Sequence, residues 1–227
     1  VDWLYFTGKL PADPLGRLFS TMGYARQILF SEKQPANEAI DRISRIHRSV
    51  EQSRGERIPD WAYRDVLYML IDYSIRAYAV LEREPSATEK EEIYEVFKRV
   101  GERMQIGDLP DGHEEWLTDR GQALSQNYEN NHYTADLFIQ YRKHLGPLRF
   151  FLLKQVQAMM SPQEIRQMLN LELFPVVQLL FLLYKISRRL KADEWITGLF
   201  MPLKYKGQIR NLSSKPAAKC PFHFSPA

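Results

Sequence analysis

Apolar residues recur every three or four positions along most of the chain, which is the spacing typical of amphipathic helices. No segment shows a convincing alternation of apolar and polar residues of the kind that indicates a half-buried strand. The predicted helices cover 14–30, about 35–52, 61–82, about 87–104, 113–128, 134–144, 147–160, a short segment after 161 and a run over about 175–190. The pattern therefore predicts an all-α fold, built as a multi-helix globular domain.

Residues that favour helix starts mark several of these boundaries. The carboxylate of Asp13 can accept from free amide groups of the first turn, and Pro14 fills the first helical position without losing a hydrogen bond. Asp60 is predicted to cap the long apolar helix that follows it. Ser161 and Pro162 combine an N-cap with a proline at the first position, so they predict the start of another helix.

Two overlapping capping boxes lie before the helix that runs to about Met104. Ser86 pairs with Glu89, and Thr88 pairs with Glu91. In each pair the two side chains can satisfy exposed backbone amides reciprocally, and both pairs therefore predict a helix start in this segment.

The segment "FPVVQLLFLLYKISRRL" is apolar almost all round. It is shorter than the roughly 20 residues that cross a bilayer, and it contains Gln178. We interpret it as a buried helix. The alternative is contact with a membrane surface or a partner helix through the face at 173–187, because Lys185, Arg188 and Arg189 lie at its end.

Composition is that of an ordinary globular protein. With 227 residues, 44% of them hydrophobic, the chain can bury a sizeable core. We expect one helical domain over 1–203, followed by a basic, loosely structured tail over 204–227. The 31 Lys and Arg residues are spread among 28 Asp and Glu residues, so we expect no nucleic-acid partner.

Cysteine usage and the first residues bear on cellular location. Cys220 is the single cysteine, which excludes an internal disulfide framework and fits a reducing compartment. The surrounding "KCPFH" has no second metal half-site, and we interpret Cys220 as an ordinary thiol. The opening "VDWLYFTGKL" lacks the pattern of a secretory signal. We expect a cytoplasmic protein that makes at most peripheral contact with a membrane.

One histidine stands apart from the other four. The chain has no glycine-rich phosphate loop, GxSxG, HExxH or CxxC motif, and four of its five histidines lie in polar loops, at helix ends or in the tail. His47 alone falls on an apolar helix stripe, with Ile40, Ile43 and Val50. It is either a hydrogen-bonded core residue or a ligand for something bound.

Two further residues share the neighbourhood that helix geometry predicts for His47. If helices 14–30 and 35–52 form an antiparallel hairpin, Thr21 lies level with His47, and Arg17 lies one turn from Thr21 on the same face. The alternative for Arg17 is a solvated helix face or an ion pair. The alternative for Thr21 is a hydroxyl bonded back to its own helix.

Three stretches together resemble a known family. "PADPLGRLFSTMGYARQILF", "AIDRISRIHRSVE" and "YRDVLYMLIDYSIRAYAVLEREPSATEKEEIYEVFKRVGERMQIGDLP" are similar, over about 11–120, to the catalytic domain of the rubber-oxygenase and mpaB-type oxygenase family. The order of the pieces carries the resemblance: an arginine four residues before a threonine, a histidine on the next helix, and a long apolar helix.

The resemblance implies a cofactor and roles for three residues. It implies a globin-like all-helical core that holds haem b, with His47 as the proximal iron ligand and Arg17 and Thr21 lining the cofactor. Neutral imidazole is a good iron ligand, which agrees with an apolar setting for His47. Arg17 would suit a propionate or a polarised oxygen species, and Thr21 a propionate or a distal water.

One position departs from the family pattern. Rubber-cleaving members carry a lysine before the threonine, whereas this chain has Ser20, which cannot act as a strong distal ligand. A rubber substrate is therefore not implied. The base of rubber-cleaving relatives lies upstream of the arginine, where only Asp2 and Asp13 are available, and it stays unassigned.

The function expected from these residues is that of a haem-b-dependent oxygenase. Its partners would be dioxygen and a small apolar substrate, lipid-like or isoprenoid-like. The alternative is a non-enzymatic helical protein that keeps the fold without haem and binds a lipid or a partner.

Overall fold

The computed structural model describes residues 2–189. All of the regular secondary structure within this range is helical, which confirms the predicted all-α class. The predicted boundary at residue 203 and the tail that follows it lie outside the described residues. The chain divides after Ile58 into two compact units, which contain described residues 2–58 and 59–189.

The first unit contains four helices. They are α1 (Asp2–Phe6), α2 (Lys9–Ala12), α3 (Pro14–Phe30) and α4 (Lys33–Arg54). Oδ1 of Asp13 accepts from the amide of Gly16 at 3.1 Å, and Pro14 occupies the first helical position, so the predicted start and end of α3 are both confirmed. The helix predicted from Pro35 begins two residues earlier. Helices α3 and α4 pack against each other.

The second unit contains six helices. They are α5 (Asp60–Leu81), α6 (Ala87–Arg103), α7 (His113–Gln126), α8 (His132–Met160), α9 (Gln163–Met168) and α10 (Pro175–Arg189). Helix α5 packs against α6, α7 and α8, which explains why it is apolar on several sides. The core between these helices is made of Leu67, Tyr68, Ile71, Tyr94, Trp116 and Ala123.

The start of α6 confirms one predicted capping box and corrects the other. Oγ of Ser86 accepts from the amide of Glu89, and Oε2 of Glu89 accepts from the amide of Ser86 at 2.7 Å. The box of Thr88 with Glu91 is wrong, because Thr88 already lies inside the helix. Glu91 instead accepts from the amide of His113 at 3.1 Å and thereby joins the start of α7 to α6.

Two other predicted caps are also wrong. Helix α5 begins at Asp60 itself, with Pro59 at the capping position and no side-chain cap. Helix α9 begins at Gln163 with Pro162 at the capping position, and Ser161 ends α8 instead. The Ser161 hydroxyl lies 3.1 Å from that of Tyr73, so it is used in a tertiary hydrogen bond.

Helix α8 covers both segments that the sequence predicts as 134–144 and 147–160. Its backbone leaves helical geometry at Gly146, which has φ 75°, immediately before Pro147. Proline removes a helical hydrogen bond, and glycine tolerates the left-handed conformation, so this pair kinks the helix.

Helix α10 is less buried than its sequence predicts. Val177 is buried, but Leu179, Leu182 and Leu183 are each more than half exposed. The prediction of a buried helix is therefore wrong for this face. Within residues 2–189, no helix has both the length and the apolar composition needed to cross a membrane.

Candidate functional site

His47 lies on the side of α4 that carries Ile40, a buried residue of the first unit. The imidazole is half-buried, and its Nδ1 atom is buried from solvent. Burial lowers the pKa of His47, and the positive charge of Arg17 lowers it further, while the carboxylate of Glu51 opposes both. His47 is therefore held as the neutral imidazole, the form that can donate a lone pair to a metal.

Arg17 extends from α3 and is exposed. Its charge is near enough to lower the pKa of His47, although burial is the larger cause. The guanidinium makes no hydrogen bond or ion pair with the side chains that the structure describes. An exposed guanidinium with no carboxylate partner can bind an anionic group, and a planar carboxylate fits it best.

Thr21 lies one turn after Arg17 on α3 and is also exposed. Its hydroxyl donates to the backbone carbonyl of Arg17 at 3.0 Å, which is the back-bonded conformation named above as the alternative. The hydroxyl proton is used in this bond, so the oxygen offers only acceptor lone pairs to a ligand. No hydrogen bond joins Thr21 to His47 among the described residues.

Apolar side chains next to these residues face solvent. Leu18 and Met22 are exposed on α3, each one residue after Arg17 or Thr21, and Ile46 is exposed beside His47 on α4. The first unit therefore combines a neutral imidazole, an exposed cation and exposed apolar side chains. Such a set is suited to a ligand that has a large apolar surface and an anionic edge.

His113 is the most buried of the histidines within residues 2–189, although its position at a helix start did not indicate this. Its ring packs 5.2 Å from that of Trp116, and its Nδ1 lies 3.7 Å from a carboxylate oxygen of Glu114. Its contacts are those of a core residue. No group of three or more His, Cys, Asp or Glu side chains that could hold a metal ion occurs in the described part of the chain.

A buried ion pair in the second unit was not predicted from the sequence. Nε of Arg120 donates to Oδ2 of Asp72 at 3.2 Å, and Nη1 of the same arginine donates to the Tyr128 hydroxyl at 3.1 Å. Nε of Arg76 donates to the other oxygen of Asp72 at 2.5 Å. The signal available in the sequence was the spacing of Asp65 and Asp72, two carboxylates seven residues apart within an apolar helix.

Comparison with known proteins supplies one match. Residues 5–189 match the sequence model of a family described as ER-bound oxygenase mpaB/B'/Rubber oxygenase, catalytic domain. The matched range contains His47, Arg17 and Thr21 together with nearly all of the described helices. No curated protein and no solved structure matches the chain.

Proposed function

Since the chain belongs to the mpaB/rubber oxygenase catalytic-domain family, we propose that it is a haem-b-dependent oxygenase. Its substrates would be dioxygen and a small apolar molecule, lipid-like or isoprenoid-like. The family supports oxygenase activity. The haem, the role of His47 and the class of substrate are our proposals. The cytoplasmic location and the peripheral membrane contact expected from the sequence stay predictions.

The residues of the first unit fit a haem. His47 would hold the iron, because burial and the nearby charge of Arg17 favour its neutral form. Arg17 would hold a propionate, because its exposed guanidinium makes no ion pair with the described residues. Leu18 and Met22 would contact the apolar face of the macrocycle. When bound, the haem supplies the one-electron and dioxygen chemistry that side chains lack.

Each side chain has a separate part in this proposal. Burial and then the positive charge of Arg17 lower the pKa of His47. The same charge would orient an anionic edge beside the imidazole. Thr21 offers an acceptor oxygen, because its own proton is donated to the carbonyl of Arg17. Ser20 has no amine, so this chain does not contribute the strong distal ligand of rubber-cleaving relatives from that position.

The observation that carries the proposal is a half-buried His47 whose pKa is lowered by burial and also by the charge of Arg17. A half-buried histidine in a structural role does not need a neighbouring cation that disfavours its protonation. A cation beside a neutral imidazole is useful where the imidazole must present a lone pair to a metal and the metal complex carries negative groups.

The test is reconstitution of the purified 227-residue chain with haem, followed by its Soret absorption. Wild type should bind one haem per chain, His47→Ala should lose most of the binding, and His144→Ala should retain it. His144 is a suitable control because its Nδ1 bonds only within its own helix, to the carbonyl of Gln140 at 2.8 Å. Equal binding by the two variants would remove His47 as the ligand. A wild-type chain that stays colourless would favour the non-enzymatic alternative.

A further inference from the structure

Helix α10 carries a row of exposed leucines on its outer side. Leu179, Leu182 and Leu183 are 57%, 53% and 53% exposed, and their spacing of three and four residues places them on one face. The opposite face is fixed to the second unit. Val177 is buried there, and Nζ of Lys185 donates to the carbonyls of Val80 and Glu82 at the end of α5, at 3.1 and 3.3 Å.

Exposed aromatic and aliphatic residues of α8 extend this row. The ring of Phe174, just before α10, lies 5.7 Å from that of Phe151, and both residues are exposed. Leu148 is exposed one turn before Phe151. We call this set the α8–α10 apolar surface; it comprises Leu148, Phe151, Phe174, Leu179, Leu182 and Leu183.

A buried glutamine holds the two parts of this surface in place. The side chain of Gln155 on α8 is almost completely buried. Its Nε2 donates to the carbonyl of Glu172 and its Oε1 accepts from the amide of Phe174, both at 2.9 Å. These two bonds fix the segment that leads into α10 against α8, so the apolar surface is a built feature of the second unit.

The same two helices carry a net positive charge. Helices α8 and α10 together contain seven Lys or Arg residues and one acidic residue, Asp136. The rest of the chain contains 24 Lys or Arg and 27 Asp or Glu, so it is net negative. Glu172, two residues before Phe174, is acidic and exposed.

We propose that the α8–α10 apolar surface docks on an anionic phospholipid membrane. Exposed leucines and phenylalanines on helices of net positive charge are what an interfacial segment presents to headgroups and acyl chains. The charge distribution also argues against self-association through this surface. A symmetric dimer would bring two positively charged copies together, whereas an anionic bilayer neutralises the charge.

The test is flotation of the 227-residue chain with vesicles of phosphatidylcholine alone or mixed with phosphatidylserine. We expect binding to the mixed vesicles, little binding to phosphatidylcholine, and loss of binding at high salt. Combining Leu179→Gln, Leu182→Gln and Leu183→Gln should weaken binding by roughly tenfold or more, because these side chains would leave water on docking. The charge variant with Arg149→Gln and Lys154→Gln should weaken binding to the mixed vesicles only.

The matched control combines Val66→Gln, Leu70→Gln and Leu117→Gln, three residues of similar exposure on α5 and α7. It should bind mixed vesicles as wild type does. Equal binding of the two triple variants would overturn the proposal, and so would binding that ignores phosphatidylserine. A wild-type dimer that the α10 variant converts to a monomer, without vesicle binding, would show that a second copy covers the surface. If the triple variant does not fold, Leu179→Gln alone should still weaken binding.

Discussion

Arg120 and Asp72 form an ion pair whose two side chains are both more than nine-tenths buried, with 3.2 Å between Nε and Oδ2. The pair joins α7 to α5 across 48 positions of sequence. Arg76, which is partly exposed, binds the second oxygen of the same carboxylate. Two cations therefore depend on one buried anion for their charge balance.

Asp72→Asn should lower the free energy of unfolding by about 3–5 kcal/mol, because it leaves Arg120 charged and uncompensated in the interior. Urea unfolding followed by circular dichroism measures the change. Asp108→Asn is the control, since Asp108 is the exposed partner of Arg64 and should change the midpoint little. Similar midpoints for the two variants would show that the buried pair does not stabilise the fold.

The capping box at α6 gives a prediction with a nearby control. Ser86→Ala should lower the free energy of unfolding by about 1 kcal/mol, because the amide of Glu89 loses its acceptor. Thr88→Ala, two residues on, should cost nothing or stabilise slightly, since position 88 is helical and alanine is the better helix former. Thermal melts of both variants measure these changes. An equal loss of stability in the two variants would mean that Thr88 also caps the helix.

The helices could be predicted from the sequence because their signals are local. Asp13 with Pro14, and Ser86 with Glu89, act within four residues, and the structure confirms both. The local sequence does not show whether Ser86 or Thr88 caps α6, because both have an acidic residue three positions later. It depends on Glu91, whose carboxylate the fold uses at the start of α7.

Tertiary features were harder to predict, since they depend on which helices meet. Asp72 and Arg120 give no local sign that they pair, and the exposure of Leu182 depends on which side of α10 packs. At the candidate site, the sequence pattern singled out His47, and the structure adds a pKa that is lowered by burial and by the charge of Arg17. The bond from Thr21 to its own helix was one of two open alternatives.

The orientation of α10 can be tested with two aspartate variants. Val177→Asp should cost several kcal/mol and strongly lower the melting temperature, because it places a carboxylate at a buried position without a partner. Leu179→Asp should leave the melting temperature nearly unchanged, since that side chain is already more than half exposed. Reversed effects would mean that α10 packs through its leucine face.

His47 should make the stability of the haem-free protein depend on pH in acid. Its pKa in the fold lies below 6.5, the ordinary value that the unfolded chain retains, so between these two values the unfolded chain binds more protons. The free energy of unfolding is therefore undiminished above pH 6.5 and falls as pH decreases through the folded pKa. Urea unfolding of wild type and His47→Gln should show a smaller decrease over this range in the variant, and identical pH profiles would contradict the prediction.

The effects of the charge of Arg17 and of the shape of its guanidinium can be tested separately. Arg17→Gln should raise the pKa of His47 in the haem-free protein, because a cause of its lowering is removed, and Arg17→Lys should leave that pKa nearly unchanged. Both variants should weaken haem retention, since lysine keeps the charge but cannot bind a carboxylate with two parallel hydrogen bonds. Nuclear magnetic resonance titration measures the pKa of His47, and Soret absorption measures haem retention.

The control is Arg57→Gln, at an exposed arginine of the same unit, which should change neither quantity. If Arg17→Gln shifts the titration but binds haem as wild type does, Arg17 tunes the imidazole without contacting the cofactor, and its proposed propionate role is wrong.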